Sequence, residues 1–490
     1  MATLAESPAD AFIAGAPKKL LIGGDWVEAR SGENFASIDP SSGQVHGHAA
    51  AGDAADVDAA VLAARTAFED PNWSGMSPHA RSRLLLRIAD AIEAHAEELA
   101  RIESRDNGAP LSIARALVAG VVETFVYYAG WATKIYGETN PAAAGILNYT
   151  LREPVGVCGH IVPWNGPLGS ASWKIAPALA CGNTVVLKPA EQTPLSSIRL
   201  GEVLLDTDLP PGVVNIVTGF GETAGAAIAA HPGIDKVGFT GSTEVGRKIL
   251  IASAGNLKRV TLELGGKSPN IVFADADLDA AAATSAQGFC FLSGQICVAA
   301  SRILVHRSVH DAFAAKLAEH VRAITIGDPA DAGTMMGPLV SREQFGRVTD
   351  YFGIGRGDAE LVTGGNSLDR PGYFVEPTIF AGASNASRIA QEEVFGPVTV
   401  LIPFDDEAEA IRIANDTQFG LAAAVWTNDL SRAHRVSRAL KAGTVWINTY
   451  LHVDLISPFG GYKQSGIGRE LGRQSIDAYT EVKSVYARIG

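Results

Sequence analysis

The chain has 490 residues with a formal net charge of −13 at pH 7, and 47% of its residues are hydrophobic. This length suffices for two or three domains with a large core. The acidic balance, and the lack of any basic run interleaved with aromatics, argues against nucleic acid or an anionic membrane as a partner. The composition is that of a soluble globular protein.

Cysteine and histidine usage indicates neither disulfides nor a metal. No CxxC pair occurs among the four cysteines, and a chain of this length does not need disulfides, so a reducing, cytoplasmic location fits best. The histidines are scattered, without an HExxH motif, and we predict no metal site. Residues 1–16 lack a basic start followed by an apolar run, and no stretch of eighteen apolar residues exists. We therefore expect no signal peptide and no membrane span.

The N-terminal part of the chain predicts short strands followed by helices. Alternation interrupted by turn residues over 18–43 predicts short antiparallel strands. A helical pattern runs from about 54 to 68. A longer helix is predicted from Ser77, as its cap, to Gly108, because Pro78 suits the first helical position and apolar residues recur at helical spacing.

A further helix is expected up to about Ile135, and 140–153 has the character of a hairpin. Strands and helices then alternate for a long stretch, which favours a parallel sheet of Rossmann type. One of these helices is predicted over Ser242–Ala254. The expected strands are Val155–Ile161, Thr184–Leu187, Val213–Val217, Lys236–Phe239 and Arg259–Leu262.

A second alternating block, from near Pro269 to near Gly466, predicts a separate α/β domain with its own sheet. The alternating run over 482–489 predicts a terminal edge strand, which needs a partner strand. The sequence shows no internal repeat and no low-complexity linker.

The pentapeptide SGQIC ends in Cys297, the side chain with the most reactive chemistry in the chain. A thiolate is a strong nucleophile and a good leaving group, so Cys297 can attack an aldehyde, hold its carbon as a thioester and release it to water. The alternative is an apolar filler, because free cysteines are among the most buried residue types. Cys290 has no GQ turn before it and keeps the filler interpretation.

The evidence for a dinucleotide is indirect, because the chain has no clean GxGxxG motif. In FTGSTEVG, Gly241 permits a tight turn after a strand, and Ser242 can cap a helix whose N-terminal amides face a pyrophosphate. In KPAE, Glu191 can accept both ribose hydroxyls and would repel a 2′-phosphate, and Lys188 can reach the same ribose. The alternatives are an ordinary capped helix and a solvated surface pair.

Two further residues suit the chemistry of a carbonyl group. In PWNGP, Asn165 follows a strand between rigid residues, and a fixed amide donor suits a developing oxyanion. In LELGGK, Glu263 lies in an apolar run, where burial raises the pKa of a carboxyl group and lets it serve as a general base. The alternatives are an asparagine in a turn and a glutamate in a structural ion pair.

From about Leu20 to its C-terminus, the chain resembles the NAD(P)-dependent aldehyde dehydrogenases. The resemblance rests on seven motifs in order: PWN, KPAEQTP, FTGSTEVG, LELGGKSP, GQIC, EEVFGPV and PFGGYKQSGIGRE. It implies an oxidoreductase that converts an aldehyde to the carboxylic acid with reduction of NAD. In this resemblance Cys297 is the nucleophile, Glu263 activates the deacylating water, and Asn165 forms the oxyanion hole with the Cys297 backbone N–H. Lys174 and Glu470 match the positions of a proton path from the base.

The resemblance implies NAD as the cofactor, with NADP as a second option because some relatives with this glutamate use both. Lys188 and Glu191 would hold the adenosine ribose, and Ser242 would touch the pyrophosphate. Glu393 would hold the nicotinamide ribose, and Phe395 would pack beside the nicotinamide. The other residues at matching cofactor positions are Ile161, Pro163, Trp164, Gly221, Gly225, Phe239, Gly241, Val245 and Leu264.

The substrate tunnel departs from the family pattern at three positions. Many relatives carry bulky or aromatic residues where this chain has Gly120, Gly166 and Val453. Small side chains there predict a wide, apolar tunnel and a bulky apolar or aromatic aldehyde. No Arg or Lys stands at a matched tunnel position, which disfavours a carboxylated semialdehyde. The expected aromatic walls are Trp173, Phe291 and Phe459.

The implied fold class is α/β, with a Rossmann-like cofactor domain, an α/β catalytic domain and a small β hairpin that joins subunits into dimers or tetramers. We expect the cofactor domain over 1–136 and 154–264, the catalytic domain over 265–466, and the oligomerisation elements over 137–153 and 467–490. One alternative is a CoA-acylating relative, which usually lacks the glutamate found here as Glu263. The other is a non-catalytic binding protein on the same fold, which typically requires loss of the nucleophile or the base.

Overall fold

The computed structural model describes residues 7–490, which contain two large sheets and two small ones. The central strands of the first large sheet run parallel. In spatial order its strands are Gly466–Ile467, Arg259–Glu263, Lys236–Thr240, Val157–Ile161, Thr184–Lys188, Val214–Ile216, Leu20–Ile22 and Asp25–Val27.

All five strands predicted for this sheet are confirmed, with ends that shift by one or two residues. Every residue of Val157–Ile161 and Thr184–Lys188 is buried, because helices cover both faces of the sheet. The strand order reverses between Val157–Ile161 and Lys236–Thr240, since later strands are added on both sides of the first one. Ligands of open α/β sheets bind at such a switch point, outside the carboxyl ends of the strands.

The second large sheet confirms the separate α/β block. Its strands in spatial order are Glu360–Thr363, Thr378–Ala381, Val398–Phe404, Arg302–His306, Pro269–Val272, Ala422–Trp426 and Thr444–Ile447. After this block the chain returns to the first sheet, where Gly466 pairs with Glu263 in antiparallel register. The expected boundary between 466 and 467 therefore falls within a two-residue strand of the first sheet.

The predicted hairpin and the predicted terminal strand pair with each other. Thr480–Arg488 runs antiparallel to Ile146–Pro154, which in turn pairs with Thr139–Asn140. The terminal strand lies at the edge of this three-stranded sheet and leaves Val482 and Tyr486 exposed. The remaining sheet, Asn34–Asp39 with Gln44–Ala50, accounts for the short N-terminal strands together with the hairpin of the first sheet.

The prediction of one helix over 77–108 is wrong in one respect, because this segment forms two helices that are separated at His95. The cap and the end are as predicted: the Ser77 hydroxyl accepts from the Ala80 N–H, and Gly108 closes the second helix at φ 83°. At the break, the His95 ring contacts the Glu98 carboxylate at 3.1 Å. The apolar residues on both sides still face one core, so their spacing does not reveal the break.

The helices cover both large sheets. Leu111–Trp131 is the one helix within residues 7–490 that is long and apolar enough to cross a membrane by those two criteria alone. One face of it, with Val118, Val121, Phe125 and Tyr128, is buried in the core beside the first sheet. The full set is Pro8–Ala14, Ala54–Glu69, Pro71–Ser74, Pro78–Ala94, Ala96–Asn107, Leu111–Trp131, Pro167–Ala180, Leu195–Leu205, Ala226–Ala230, Thr243–Ser253, Leu278–Cys290, His310–Arg322, Arg342–Asp358, Arg388–Gln391, Glu407–Asn415, Leu430–Ala439 and Gln474–Ala478.

Candidate active site

A cavity of about 280 Å³ opens at the switch point of the first sheet and extends to the second block. The segments that follow Val157–Ile161 and Lys236–Thr240 form one side of it, as expected for a parallel sheet. The second block contributes the nucleophile loop and the start of the helix Arg342–Asp358. The lining residues are Pro163, Trp164, Asn165, Thr240, Gly241, Ser242, Glu263, Leu264, Gly265, Cys297, Glu343, Gln344, Arg347, Glu393 and Phe395.

Cys297 lies in this cavity on a loop that follows the helix Leu278–Cys290 and a tight turn. Burial, together with the carboxylates of Glu393 and Glu263, raises the pKa of the Cys297 thiol to about 12. Gly266 packs on the loop so closely that a β-carbon there would lie 2.2 Å from the Cys297 carbonyl oxygen. Cys290 is buried within its helix, in keeping with the filler interpretation.

Asn165 contacts the loop that carries Cys297, although Asn165 and its partner Gln295 are 130 positions apart in the chain. The Asn165 side-chain amide donates a hydrogen bond of 2.8 Å to the backbone carbonyl of Gln295, two residues before the cysteine. The neighbouring Gly166 begins the helix Pro167–Ala180 and has open space around its α-carbon. The amide is therefore held at the edge of the cavity that contains the thiol.

Glu263 ends the strand Arg259–Glu263 with only 4% of its surface exposed. Neither carboxylate oxygen has a hydrogen-bond partner among residues 7–490. Burial and the nearby Glu470 carboxylate raise its pKa well above the usual value for glutamate, and Lys174 opposes that shift. The alternative of a structural ion pair is wrong for Glu263, because within the described part of the chain its oxygens contact no cation at ion-pair distance.

The ion pair of this region is formed by Lys174 and Glu470 instead, both of which are buried. The Lys174 ammonium also donates to the Thr240 hydroxyl at 2.7 Å. Phe459 and Glu470 form a backbone bridge that brings this carboxylate back beside the first sheet. Both members of the pair are close enough to Glu263 to influence its pKa.

The predicted adenosine side of the cofactor site lies next to this cavity, at the end of the strand Thr184–Lys188. Lys188 is buried and its ammonium contacts the Glu191 carboxylate at 3.2 Å, and burial lowers the pKa of that lysine. The lysine stem passes under Gly225, where a β-carbon would meet it at 3.6 Å. Gly221 and Gly225 bound one five-residue turn of π-helix, a rare form that is frequent at functional sites.

The helix Thr243–Ser253 presents its N-terminus to the same region. The Ser242 hydroxyl accepts from the Val245 N–H at 3.2 Å, which confirms the predicted cap. Gly241 has no left-handed backbone, so the turn after the strand does not by itself demand glycine at this position. A β-carbon at Gly241 would lie 2.5 Å from the Phe239 ring, so close packing and not the turn requires glycine here. The end of Val157–Ile161 supplies Ile161 beneath this crevice.

Glu393 and Phe395 form the opposite wall of the cavity. Burial raises the pKa of Glu393 to about 7, although its carboxylate accepts from the Gly266 N–H at 2.8 Å. Phe395 has a positive φ of 59° and its ring meets the Trp164 ring edge-on at 5.1 Å. The two aromatic rings connect the PWN segment with the EEVFGPV motif across the crevice.

None of the predicted tunnel residues lines this cavity. A β-carbon at Gly120 or at Gly166 would meet nothing within 4 Å. Trp173 and Phe459 contact each other edge-on with ring centroids 5.5 Å apart. Phe291 is partly buried against the catalytic core, and Val453 is 42% exposed.

Five residues of the cavity were not among the sequence predictions: Thr240, Gly265, Glu343, Gln344 and Arg347. The Ser341 cap begins the helix that carries the last three, and the Gln344 side chain donates to the Phe395 carbonyl at 2.7 Å. Their proximity depends on how this helix docks on the EEVFGPV segment, which no local pattern specifies. Within residues 7–490, no cluster of three or more His, Cys, Asp or Glu is arranged to hold a metal ion.

Residues 26–485 match the model of the aldehyde dehydrogenase family. This chain belongs to the aldehyde dehydrogenase family. It is 50% identical over 472 residues to aldehyde dehydrogenase family 2 member B4, mitochondrial, of Arabidopsis thaliana, with 95% of this chain and 87% of the relative covered. Its fold matches the NAD+ complex of an aldehyde dehydrogenase from Bacillus cereus with a TM-score of 0.97 at 47% identity, and 99% of each chain is covered.

A third similar structure is the indole-3-acetaldehyde dehydrogenase AldA of P. syringae, in complex with NAD+ and IAA. It is 44% identical, with a TM-score of 0.95, and 97% of each chain is covered. Family membership and these similarities make this protein an NAD-dependent aldehyde dehydrogenase of the α/β class. The residues present fit NAD, because a capped helix N-terminus, a buried lysine–glutamate pair and a cradle of glycines meet at the switch point.

Proposed function

We propose that this enzyme oxidises a bulky apolar or aromatic aldehyde to the carboxylic acid through a thiohemiacetal and a thioester on Cys297. One observation supports the proposal: a single cavity is lined by the thiol of Cys297, the unpartnered buried carboxylate of Glu263 and the amide donor of Asn165. The thiol is needed for attack on the aldehyde, the carboxylate for deacylation and the amide for stabilisation of the oxyanion.

In the first step the Cys297 thiol gives its proton to water, and the sulfur forms a bond with the aldehyde carbon. The carbonyl oxygen gains the electron pair of its π bond, and Asn165 and the Cys297 N–H stabilise that oxyanion. Because the pKa of the resting thiol is raised to about 12, removal of its proton is a substantial part of the barrier. Bound NAD+ supplies the acceptor for the hydride that the tetrahedral carbon loses.

In the second step Glu263 takes a proton from water, and the hydroxide oxygen bonds to the thioester carbon while the carbon–sulfur bond breaks. The products are the carboxylic acid and the regenerated thiolate. A carboxyl group whose pKa is raised by burial is a stronger base than an exposed glutamate. The buried pair Lys174 and Glu470 would pass the proton from Glu263 away from the cavity.

For the cofactor, we propose that Lys188 and Glu191 hold the adenosine ribose and that the Ser242-capped helix faces the pyrophosphate. Glu393 would hold the nicotinamide ribose, and Phe395 would pack beside the nicotinamide. The Glu191 carboxylate lies where a 2′-phosphate would be repelled, so NAD is favoured over NADP.

The proposed substrate class is supported by the residues at the predicted tunnel positions. Gly120 and Gly166 leave free space where a larger side chain would project, and Trp173 with Phe459 offers an aromatic wall. Aromatic rings prefer such edge-on apolar surroundings. The similar P. syringae enzyme, an indole-3-acetaldehyde dehydrogenase, acts on an aldehyde with an aromatic ring.

We also propose a cytoplasmic homo-oligomer, a dimer or a tetramer, with the domain division expected from the sequence. The three-stranded sheet supports this assembly, because its terminal edge strand presents Val482 and Tyr486 to solvent. Unpaired edge strands and exposed apolar side chains are the common elements of subunit contacts.

The experiment measures NADH absorbance with a panel of aldehydes from acetaldehyde to cinnamaldehyde, with NAD or NADP, and with or without CoA. Cys297→Ala should abolish NADH formation with every aldehyde, whereas Cys290→Ala, seven residues away, should keep the wild-type rate. A Cys297→Ala variant with near-normal turnover would refute the mechanism. A strong preference for acetaldehyde would refute the wide tunnel, and a requirement for CoA would favour the acylating alternative.

A further inference from the structure

Gln295 is a buried glutamine next to the nucleophile, with 3% of its surface exposed, and the mechanism described above does not use it. Its side chain makes two hydrogen bonds with fixed roles. Oε1 accepts from the Val340 N–H at 2.9 Å, and Nε2 donates to the Leu292 carbonyl at 3.1 Å. A backbone N–H can only donate and a carbonyl can only accept, so the orientation of this amide is unique.

The turn that Gln295 closes has an unusual backbone. Leu292, Ser293 and Gly294 have successive φ values of 49°, 58° and 71°, in the left-handed backbone region that residues other than glycine rarely adopt. A β-carbon at Gly294 would lie 2.2 Å from the backbone of Gly396. Such a conformation persists only where surrounding contacts hold it in place. The Gln295 side chain provides two of these contacts, because it joins the Leu292 carbonyl at the start of the turn to the Val340 N–H.

This turn determines the position of the Gln295 carbonyl, which accepts a hydrogen bond of 2.8 Å from the Asn165 side-chain amide. A side-chain amide has two N–H bonds about 120° apart in one plane. Once the first N–H is committed to the Gln295 carbonyl, the direction of the second is set. The opposite amide orientation would bring two acceptor oxygens together, so Asn165 must present its nitrogen to this carbonyl.

We propose that Gln295 is a positioning residue for the oxyanion hole. Its side chain holds the strained turn, the turn places the Gln295 carbonyl, and the carbonyl orients Asn165 so that its second N–H faces the carbon attacked by Cys297. The inference rests on the proposed role of Asn165. Val340 lies immediately before the Ser341 cap of the helix that carries Gln344 and Arg347, so the same side chain joins the nucleophile loop to the opposite wall of the cavity.

The test is a double-mutant cycle on acylation. The readout is the burst of 4-nitrophenolate from 4-nitrophenyl acetate without NAD, which reports thiol attack and does not depend on cofactor binding. Gln295→Met keeps the size of the side chain and removes both hydrogen bonds. It should slow acylation about ten- to a hundredfold, part of the loss expected for removal of one oxyanion donor. Asn165→Ala should slow it at least as much.

The deciding measurement is the double variant. Gln295→Met added to Asn165→Ala should change the acylation rate by less than about twofold, because a residue that acts through Asn165 has nothing left to orient. If the two losses multiply, Gln295 does not act through Asn165 and the inference is wrong. If Asn165→Ala alone has no effect, the proposed function of Asn165 fails instead, so the two failures are distinguishable.

Two controls separate positioning from general stability. Ser293→Ala removes another tether of the same turn, the hydroxyl that donates to the Gly337 carbonyl at 2.8 Å, and leaves the bridge intact. It should lower the melting temperature and keep acylation within about threefold of wild type. If Gln295→Met does not fold, Gln295→Glu replaces it in the cycle, because a carboxylate keeps the acceptor for Val340 and loses only the donor to Leu292. An equal loss of rate in Ser293→Ala would overturn the proposal.

Discussion

Glu263→Gln tests the proposed base, because it keeps the shape of the side chain and removes its ability to take a proton. General-base catalysis contributes roughly a hundred- to ten-thousandfold, so deacylation should slow by that factor while attack and hydride transfer continue. With benzaldehyde the variant should release one equivalent of NADH per active site in a burst and then turn over slowly. Intact mass should show the acyl group on the protein. Rapid release of benzoate without a burst would refute the assignment of Glu263.

The same variant has a second consequence, in stability. The pKa of the folded Glu263 is raised well above the unfolded value of about 4.3, so the folded state holds a proton that the unfolded state loses. This contribution to stability is fully present below about pH 4.3 and is lost, at about 1.4 kcal/mol per pH unit, as pH rises to the folded pKa. Glutamine does not titrate, so the stability of Glu263→Gln relative to wild type should rise with pH across this window.

Glu103 provides a matched control outside the cavity. It is fully buried in the helix Ala96–Asn107 with both carboxylate oxygens unpartnered, and burial raises its pKa to about 8. Glu103→Gln should therefore gain stability relative to wild type between about pH 4.3 and pH 8, without any acyl-enzyme burst. Melting temperatures of both variants from pH 5 to 8 would test this. A difference from wild type that does not change with pH would contradict the argument from burial.

Three further outcomes are expected. Alkylation of Cys297 by iodoacetamide without cofactor should accelerate about tenfold per pH unit from pH 7 to 10, because the thiol pKa is raised to about 12; a plateau near pH 8 would contradict that ionisation. Gly166→Phe should fill the open space of the tunnel and raise the KM for cinnamaldehyde at least tenfold more than that for acetaldehyde, measured from NADH formation. Glu191→Ala should improve kcat/KM with NADP about tenfold or more, because it removes a carboxylate next to the 2′-position; an unchanged NAD/NADP ratio would exclude Glu191 from this role.

Local sequence signals located the parallel sheet and most of the candidate site. Continuous apolar runs bounded by turn residues identified all five central strands, because strands buried on both faces leave that pattern. The candidate catalytic and cofactor-binding residues lie at or just after the ends of those strands, and the carboxyl ends of parallel strands lie along the same edge of a sheet. These signals alone left the alternatives open, and the resemblance to the aldehyde dehydrogenases predicted that Asn165, Ser242 and Glu263 belong to one site.

Other properties depend on contacts between distant segments, which no local pattern encodes. The break at His95 leaves the apolar spacing on both sides unchanged. Glu263 follows an apolar run, but the return of the chain at Gly466 and the approach of Glu470 determine that its oxygens lack partners and that its pKa is raised.

By itself, the sequence determined the α/β class and the order of the motifs, because these follow from residue type and short-range pattern. The resemblance carried by those motifs predicted which thiol, carboxylate and amide take part in the chemistry. Tertiary structure alone decided how these groups are oriented. The Asn165 amide is oriented by the Gln295 carbonyl, and that carbonyl is placed by a left-handed turn that a bond to Val340 holds. Hydrogen-bond direction depends on positions in space, and these are set only when the two large sheets and their loops have packed together.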